Sequence, residues 1–225
     1  MNNFLLVNAD TDSISICKQD MSPFSEEEQD KLLEDLNGQF PEHINFEEDG
    51  YFPVLIVLAA KNYILYDGKK IKTKGSSLKD TKKEPALREF LDSCIKLLVE
   101  DAPQEQLVET YNKYIKEALN VTDIKRWCSK KTITTAVETS ERANETKVKD
   151  AIAGSEYKQG DKVYTFFKLD KSLCLVENFN GDYDKRKLLE RLHKTSLVFK
   201  SILPVKDFFI NYSLKKNFNK LEKNE

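Results

Sequence analysis

Two aspartates one residue apart, Asp10 and Asp12, stand between the oily runs Phe4-Leu5-Leu6-Val7 and Ile14-Ser15-Ile16. Carboxylates that close repel, by roughly 1 kcal/mol at about 4 Å in water and about 4 kcal/mol at an effective dielectric of 20. The repulsion is relieved if both groups face solvent, if one is protonated, or if a divalent cation lies between them. The chemistry available to such a pair is hard-cation binding; the plain alternative is a solvated turn, where Asp is common. An EF-hand calcium loop does not fit, because Asp10-Thr11-Asp12-Ser13 is followed by Ile14-Ser15 where that loop needs a third oxygen ligand and then glycine.

The elements that must position these acids are legible around them. Leu5, Val7, Ile14 and Ile16 alternate as β-strands do, and Asn8-Ala9-Asp10-Thr11 has turn composition, which predicts a buried hairpin with the acids at its tip. Ser25 and Glu28 form a capping box ahead of a helix carrying Leu32, Leu33, Leu36 and Phe40. Residues 51–60 read as a buried strand. Residues 62–66 and 69–73, joined by Asp67-Gly68, read as a β-hairpin with a two-residue turn. Pro85 then opens a helix striped by Leu87, Phe90, Leu91, Cys94, Ile95 and Leu98, and a second follows Pro103 with Leu107, Tyr111, Tyr114, Ile115 and Leu119. Residues 161–177 hold two short strands around Leu169-Asp170-Lys171. Helical patterns over 184–199 and 205–218 precede a Lys-rich tail, 215–225, that is expected to fray. The expectation is an α+β chain with two domains, 1–84 and 85–225.

Composition bounds the function. The chain has 225 residues, 40% apolar and 33% charged, with a net charge of −2, so affinity for nucleic acid would have to come from segregated charge. Acids crowd into residues 25–49, while 61–83 and 125–131 are basic. The longest apolar run, residues 52–60, is strand-sized, so no membrane partner is expected. Residues 4–7 are too short and lack the basic lead of a signal peptide. Cys17, Cys94, Cys128 and Cys174 are scattered without a Cys-x-x-Cys pair, and read as reduced thiols in a cytoplasmic protein. His43 and His193 have no metal-ligand spacing.

Asp-x-Asp after an oily strand occurs both in nucleotide-sugar glycosyltransferases and in nucleic-acid polymerase palms. Several further stretches decide between them. Ala9-Asp10-Thr11-Asp12-Ser13 resembles the third polymerase motif, Tyr-Gly-Asp-Thr-Asp-Ser, of the family B DNA polymerases that include many phage and viral replicases. Ala60-Lys61-Asn62-Tyr63 resembles the family's Lys-Lys-x-Tyr motif, and Lys72-Thr73-Lys74-Gly75 its Lys-Gly element. Ser129-Lys130-Lys131-Thr132-Ile133-Thr134 is similar to the Thr-Lys-x-Leu-Thr segment of the thumb. Gly160-Asp161-Lys162-Val163-Tyr164-Thr165-Phe166-Phe167 is similar to the thumb strand Gly-Asp-x-Val-x-Tyr-Val-Ile, and residues 183–203 stand where the family has its last long helix. Each motif alone is weak; their order and spacing make the resemblance specific, and a glycosyltransferase has no parallel for the later ones. Departures from the pattern are Asn8-Ala9 for Tyr-Gly, Ala60 for the first Lys, and Ser76-Ser77 after Gly75.

The resemblance implies the carboxy-terminal part of a palm, 1–84, followed by a thumb, 85–225. It implies a two-metal Mg²⁺ site with Asp12 as direct ligand and Asp10 as electrostatic neighbour or outer contributor. It also implies that Lys61 and Tyr63, alternating on one strand, face the primer backbone. Lys72 and Lys74 would contact phosphates, and Lys130, Lys131 and Arg126 would grip primer–template duplex without reading its sequence. The structural alternative for the lysines is a charged edge strand, and Trp127 reads as core. The family's other carboxylate, its fingers and its exonuclease lie upstream of the third motif. The chain is therefore expected to act as one piece of a split polymerase, binding incoming deoxynucleoside triphosphate and DNA only with a second chain that supplies the exonuclease, the first acidic motif and the fingers. A sliding clamp is compatible as a further partner, although Leu214 to Glu225 offers no convincing clamp peptide. A non-catalytic DNA-binding accessory is the alternative.

Overall fold

A computed structural model describes residues 4–79, 83–134 and 143–203. The expected helix over 205–218 and the fraying tail lie outside them. The chain divides into two units between Leu78 and Lys79.

In the first unit, β1 (Phe4–Asp10) and β2 (Ser13–Lys18) form an antiparallel pair with Asp10 opposite Ser13. The turn is therefore Thr11-Asp12, two residues beyond the predicted one, and Thr11 takes a positive φ of 35°. The shift has a physical reason: Asn8 and Ala9 pair with Ser15 and Ile14, so the ladder continues to the first acid. A bulge at Val7 changes the register, since Leu6 pairs with Ile16 and Asn8 with Ser15. Opposed residues share a face. Ile14 and Ile16 therefore lie with Ala9, Leu6 and Phe4, while Asp10 lies with Asn8, Ser13 and Ser15. The hairpin is not buried as expected: Leu6 is 63% exposed and Ile14 39%.

The segment after β2 closes the base of the hairpin. Phe4 stacks on Phe24 with ring centroids 5.6 Å apart, and Lys18 Nζ reaches Glu28 Oε2 at 2.6 Å. Glu28 also accepts from the Ser25 amide at 2.8 Å while Ser25 Oγ accepts from the Glu28 amide, so the predicted capping box opens α1 (Glu26–Asn37). The Lys18 ammonium, then the Ser25 amide, hold the Glu28 carboxyl below its usual pKa. Phe40 lies beyond the helix, against Phe46.

The strands β3 (Val54–Ala59), β4 (Asn62–Tyr66) and β5 (Ile71–Lys74) form an antiparallel sheet in that order. Ile64 is fully buried and Leu58, Tyr63 and Leu65 nearly so. The β4–β5 connection is a four-residue loop, with Tyr66 paired to Ile71, rather than the predicted two-residue turn. The Asp67 carboxylate accepts from both the Lys69 and Lys70 amides, at 2.8 and 2.6 Å, and so stabilises the longer form. A short helix, α2 (Ser76–Lys79), comes next.

The second unit has two cores. In one, α3 (Pro85–Val99), α4 (Gln104–Leu119) and α6 (Lys185–Ser196) pack together. The apolar stripes read from the sequence supply it: Leu87, Phe90, Leu91, Cys94 and Ile95 meet Leu107, Tyr111, Tyr114 and Ile115, and Leu188, Leu189 and Leu192 are buried. Phe90 lies edge-on to Tyr114 at 5.5 Å. Burial pushes the Cys94 and Cys128 thiols up to about 12, so neither is a thiolate at neutral pH. The second core joins α5 (Ala143–Ile152) to the sheet of β6 (Ser129–Thr132), β7 (Lys162–Phe167) and β8 (Leu173–Leu175) through Ile133, Val148, Val163 and Leu175. Trp127 is buried, as expected of a core residue. No helix among the described residues is long and apolar enough to cross a membrane.

Candidate functional site

In the first unit, Asp10 ends β1 and Asp12 occupies the turn. The Thr11 hydroxyl donates to Asp10 Oδ1 at 3.2 Å, so Thr11 turns toward the first acid instead of away from it along a strand. Lys61 Nζ lies 3.5 Å from the same oxygen. Two segments remote in sequence, one expected to carry the metal-site acids and the other a primer contact, thus meet at Asp10.

The placement of Lys61 depends on local backbone chemistry. It does not alternate with Tyr63 on a strand; it sits in the two-residue β3–β4 turn with φ of 60°, a conformation that β-carbon-bearing residues adopt at a cost. The turn packs against Gly75, whose φ is 107°. A Cβ there would collide with Asn62 Oδ1 and stand 2.5 Å from the Lys61 carbonyl oxygen. The glycine of the Lys-Gly element thus lets the backbone after β5 approach the Lys61 turn closely. Asn62 Oδ1 accepts from the Ser77 amide at 3.3 Å.

Other residues singled out in the sequence are distributed differently. Tyr63 is buried in the sheet; it lies directly opposite Lys74 and so shares that lysine's face. Lys72 and Lys74 are exposed and share a face of the edge strand β5; Lys72 Nζ also stands 4.9 Å from the centroid of Phe52. In the second unit, Lys130 pairs with Tyr164 and Lys131 with Val163 on adjacent rungs, which puts the two lysines on opposite faces of the sheet. Arg126 is engaged by carboxylates, with Glu89 at 2.5 Å and Glu117 at 2.9 Å. Those hydrogen bonds raise its pKa further and tie α3 to α4.

Sequence reading misses the most buried charged residue among the described ones. Glu84 is 2% exposed and meets Arg191 through two hydrogen bonds, Nε to Oε1 at 2.6 Å and the terminal nitrogen to Oε2 at 2.8 Å. Burial raises the Glu84 carboxyl above its usual range, and the guanidinium works against that shift. In sequence Glu84 is one acid beside Lys82 and Lys83; its Arg191 partner is 107 residues away, beyond any local pattern.

As a cation site, Asp10 and Asp12 offer the hard oxygens that Mg²⁺ takes, and they fit as part of a ligand set. Among the described residues no group of three or more His, Cys, Asp or Glu is placed to hold a metal, so further oxygens would come from outside this group, from water, or from a phosphate.

No family profile matches the sequence, and no curated protein does. Among solved structures, the chain is similar to the family B DNA polymerase from the hyperthermophilic archaeon Pyrobaculum calidifontis, with a TM-score of 0.68 and 15% identity. The match covers 91% of this chain and 27% of that one, so the chain spans about a quarter of the polymerase's length. The chain therefore has a family B polymerase-like fold, of the expected α+β class and resembling part of a palm and thumb.

Proposed function

We propose that this chain is the palm and thumb portion of a DNA-directed DNA polymerase. In this reading, Asp12 is a direct Mg²⁺ ligand and Asp10 supports the site electrostatically. The observation that carries the reading is the approach of Lys61 to Asp10 on a polymerase-like fold. Mg²⁺, when bound, would neutralise phosphoryl oxygens and favour ionisation of the primer 3′-hydroxyl. The chain's own residues do the rest. Asp12, in the turn, presents carboxylate oxygens to the cation. Lys61 offsets the Asp10 charge, which lowers the cost of bringing two carboxylates and a polyanionic triphosphate together. Lys72 and Lys74 on one face, and Lys130 in the thumb, hold DNA phosphates; Arg126, engaged by two glutamates, is left out of that set.

The remaining carboxylate, the fingers and the exonuclease would come from a second polypeptide, and the uncovered apolar side chains of the β1–β2 pair support a partner there. The test is primer extension by the chain purified from its native source with its associated proteins, beside the isolated chain and an Asp12→Ala variant. Synthesis should require a second polypeptide and fall by several orders of magnitude in the variant. Mg²⁺-dependent synthesis by the isolated chain would overturn the need for a partner. DNA binding without synthesis, unchanged by Asp12→Ala, would establish a non-catalytic accessory instead.

A further inference from the structure

A concave site lies wholly within the second unit, independent of the hairpin acids. It is a cleft of about 550 Å³ between β6, α5, the β7–β8 turn and α6. That volume lies in the range of roughly 300–1,000 Å³ typical of small-molecule sites. Lys131, Lys147, Lys171, Lys187 and Arg191 line it, against two acids, Asp184 and Glu190; Val148, Phe167 and Leu173 form its apolar wall.

The two acids are already engaged. The Asp184 carboxylate caps α6 by accepting from the Lys187 amide at 2.9 Å, and Glu190 pairs with Lys187 Nζ at 3.4 Å. The Arg191 fork is likewise taken up by Glu84. Lys131, Lys147 and Lys171 remain: none is within salt-bridge distance of a carboxylate among the described residues, and Lys131 acts on the Glu84 carboxyl only through its charge at longer range.

The placement of these lysines is built rather than incidental. Lys171 is held in the left-handed region, φ 66°, by the turn in which its amide donates to the Lys168 carbonyl at 2.9 Å. Its own carbonyl accepts from Lys147 Nζ at 3.4 Å. Lys147 and Lys187 stand 5.6 and 5.9 Å from the Phe167 centroid, so ammonium groups flank an aromatic wall. A cleft whose donors without a carboxylate partner in contact are ammonium groups suits a compact polyanion. A carboxylate would favour a planar guanidinium fork, and here that fork is occupied. The Val148–Phe167–Leu173 wall adds a place for a flat apolar body.

We propose that this cleft binds a phosphate ester of nucleotide size, with its phosphates on Lys131, Lys147 and Lys171 and its ring along the Phe167 wall. The ester can come from a free nucleotide or from the phosphorylated end of a single strand. The experiment is calorimetric titration of the full chain with dATP, inorganic pyrophosphate and deoxyadenosine, repeated with Lys171→Gly and Lys147→Gln. The dATP should bind saturably and tighter than pyrophosphate, weakening with salt, and deoxyadenosine should give no heat. Lys171→Gly removes a charge and a backbone strain together, so the variant should melt no lower than the parent while binding dATP roughly fivefold more weakly. Lys147→Gln should weaken it similarly. Competition by a 5′-phosphorylated single strand assigns the ester to a strand end, and failure to compete assigns it to the free nucleotide. Absence of saturable dATP binding, or binding indifferent to both substitutions, overturns the proposal. So does a result in which only duplex DNA binds and Lys171→Gly weakens it, since the cleft would then be part of a duplex-holding surface.

Discussion

At the scale of single residues, the first unit separates two adjacent acids by their surroundings. Asp10 is answered by the Thr11 hydroxyl and the Lys61 ammonium, while Asp12 stands exposed in the turn. In the second unit, the Glu84–Arg191 pair makes an unequal prediction. Arg191→Ala strands a carboxylate that water does not reach and should cost about 3–5 kcal/mol. Glu84→Ala leaves a guanidinium whose side chain is 33% exposed, and should cost less. The pH dependence has a definite sign. Burial raises the folded pKa of Glu84 above its unfolded value. Stability associated with its protonation is therefore fully present below the unfolded pKa and is lost as pH rises through the folded one. Without Arg191 that folded pKa rises further. Denaturant melts of Arg191→Ala should accordingly show the deficit narrowing as pH falls from 7 toward 5, with no such narrowing for Glu84→Ala. The two hairpin acids are legible in the sequence because spacing alone raises the question of their charge. Glu84 is not, because a glutamate in a lysine-rich stretch reads as solvated until the fold brings Arg191 to it.

At the scale of elements, what places Lys61 is a glycine outside its own turn. Gly75→Ala should destabilise the β3–β4–β5 unit by about 1–3 kcal/mol, through the positive φ and the collision with the Lys61 turn. It should also raise amide exchange at Lys61 and Asn62 ahead of the strand centres; unchanged exchange and melting would show that the close approach is unimportant. The helices α3, α4 and α6 are legible because one apolar stripe at helical spacing specifies both the element and its buried side. The turns are harder. Asp67-Gly68 carries a strong two-residue signal, yet the Asp67 carboxylate satisfies two amides and thereby favours four residues. The acidic tip reads two residues early because the composition of Asn8 and Ala9 does not reveal that the ladder runs through them. Lys61 reads as a strand residue because no local signal marks a lysine that must adopt a left-handed turn.

At the scale of the whole molecule, the two units differ in how fully they cover themselves. The helices of the second unit bury their apolar stripes, whereas β1 and β2 form a two-stranded sheet, a size with marginal stability in isolation. Leu6 on the uncovered face is therefore a partner-facing residue in the proposed assembly. Leu6→Lys should shift the melting free energy of the isolated chain by no more than about 0.5 kcal/mol, as surface substitutions do. It should nonetheless abolish recovery of the second polypeptide with the chain, and retention of that polypeptide at wild-type yield would remove the hairpin from the interface.

The bulge at Val7 gives β1 an odd count where its partner keeps an even one. Substitutions along the strand change what a face is made of, while a one-residue deletion at the bulge would set six residues against six and leave Asp10 opposite Ser13, on the side away from Leu6 and Ile14. The amino-terminal strand should thus tolerate loss of its surplus residue better than gain of another, which without a second bulge would turn Asp10 toward the side of Leu6 and Ile14.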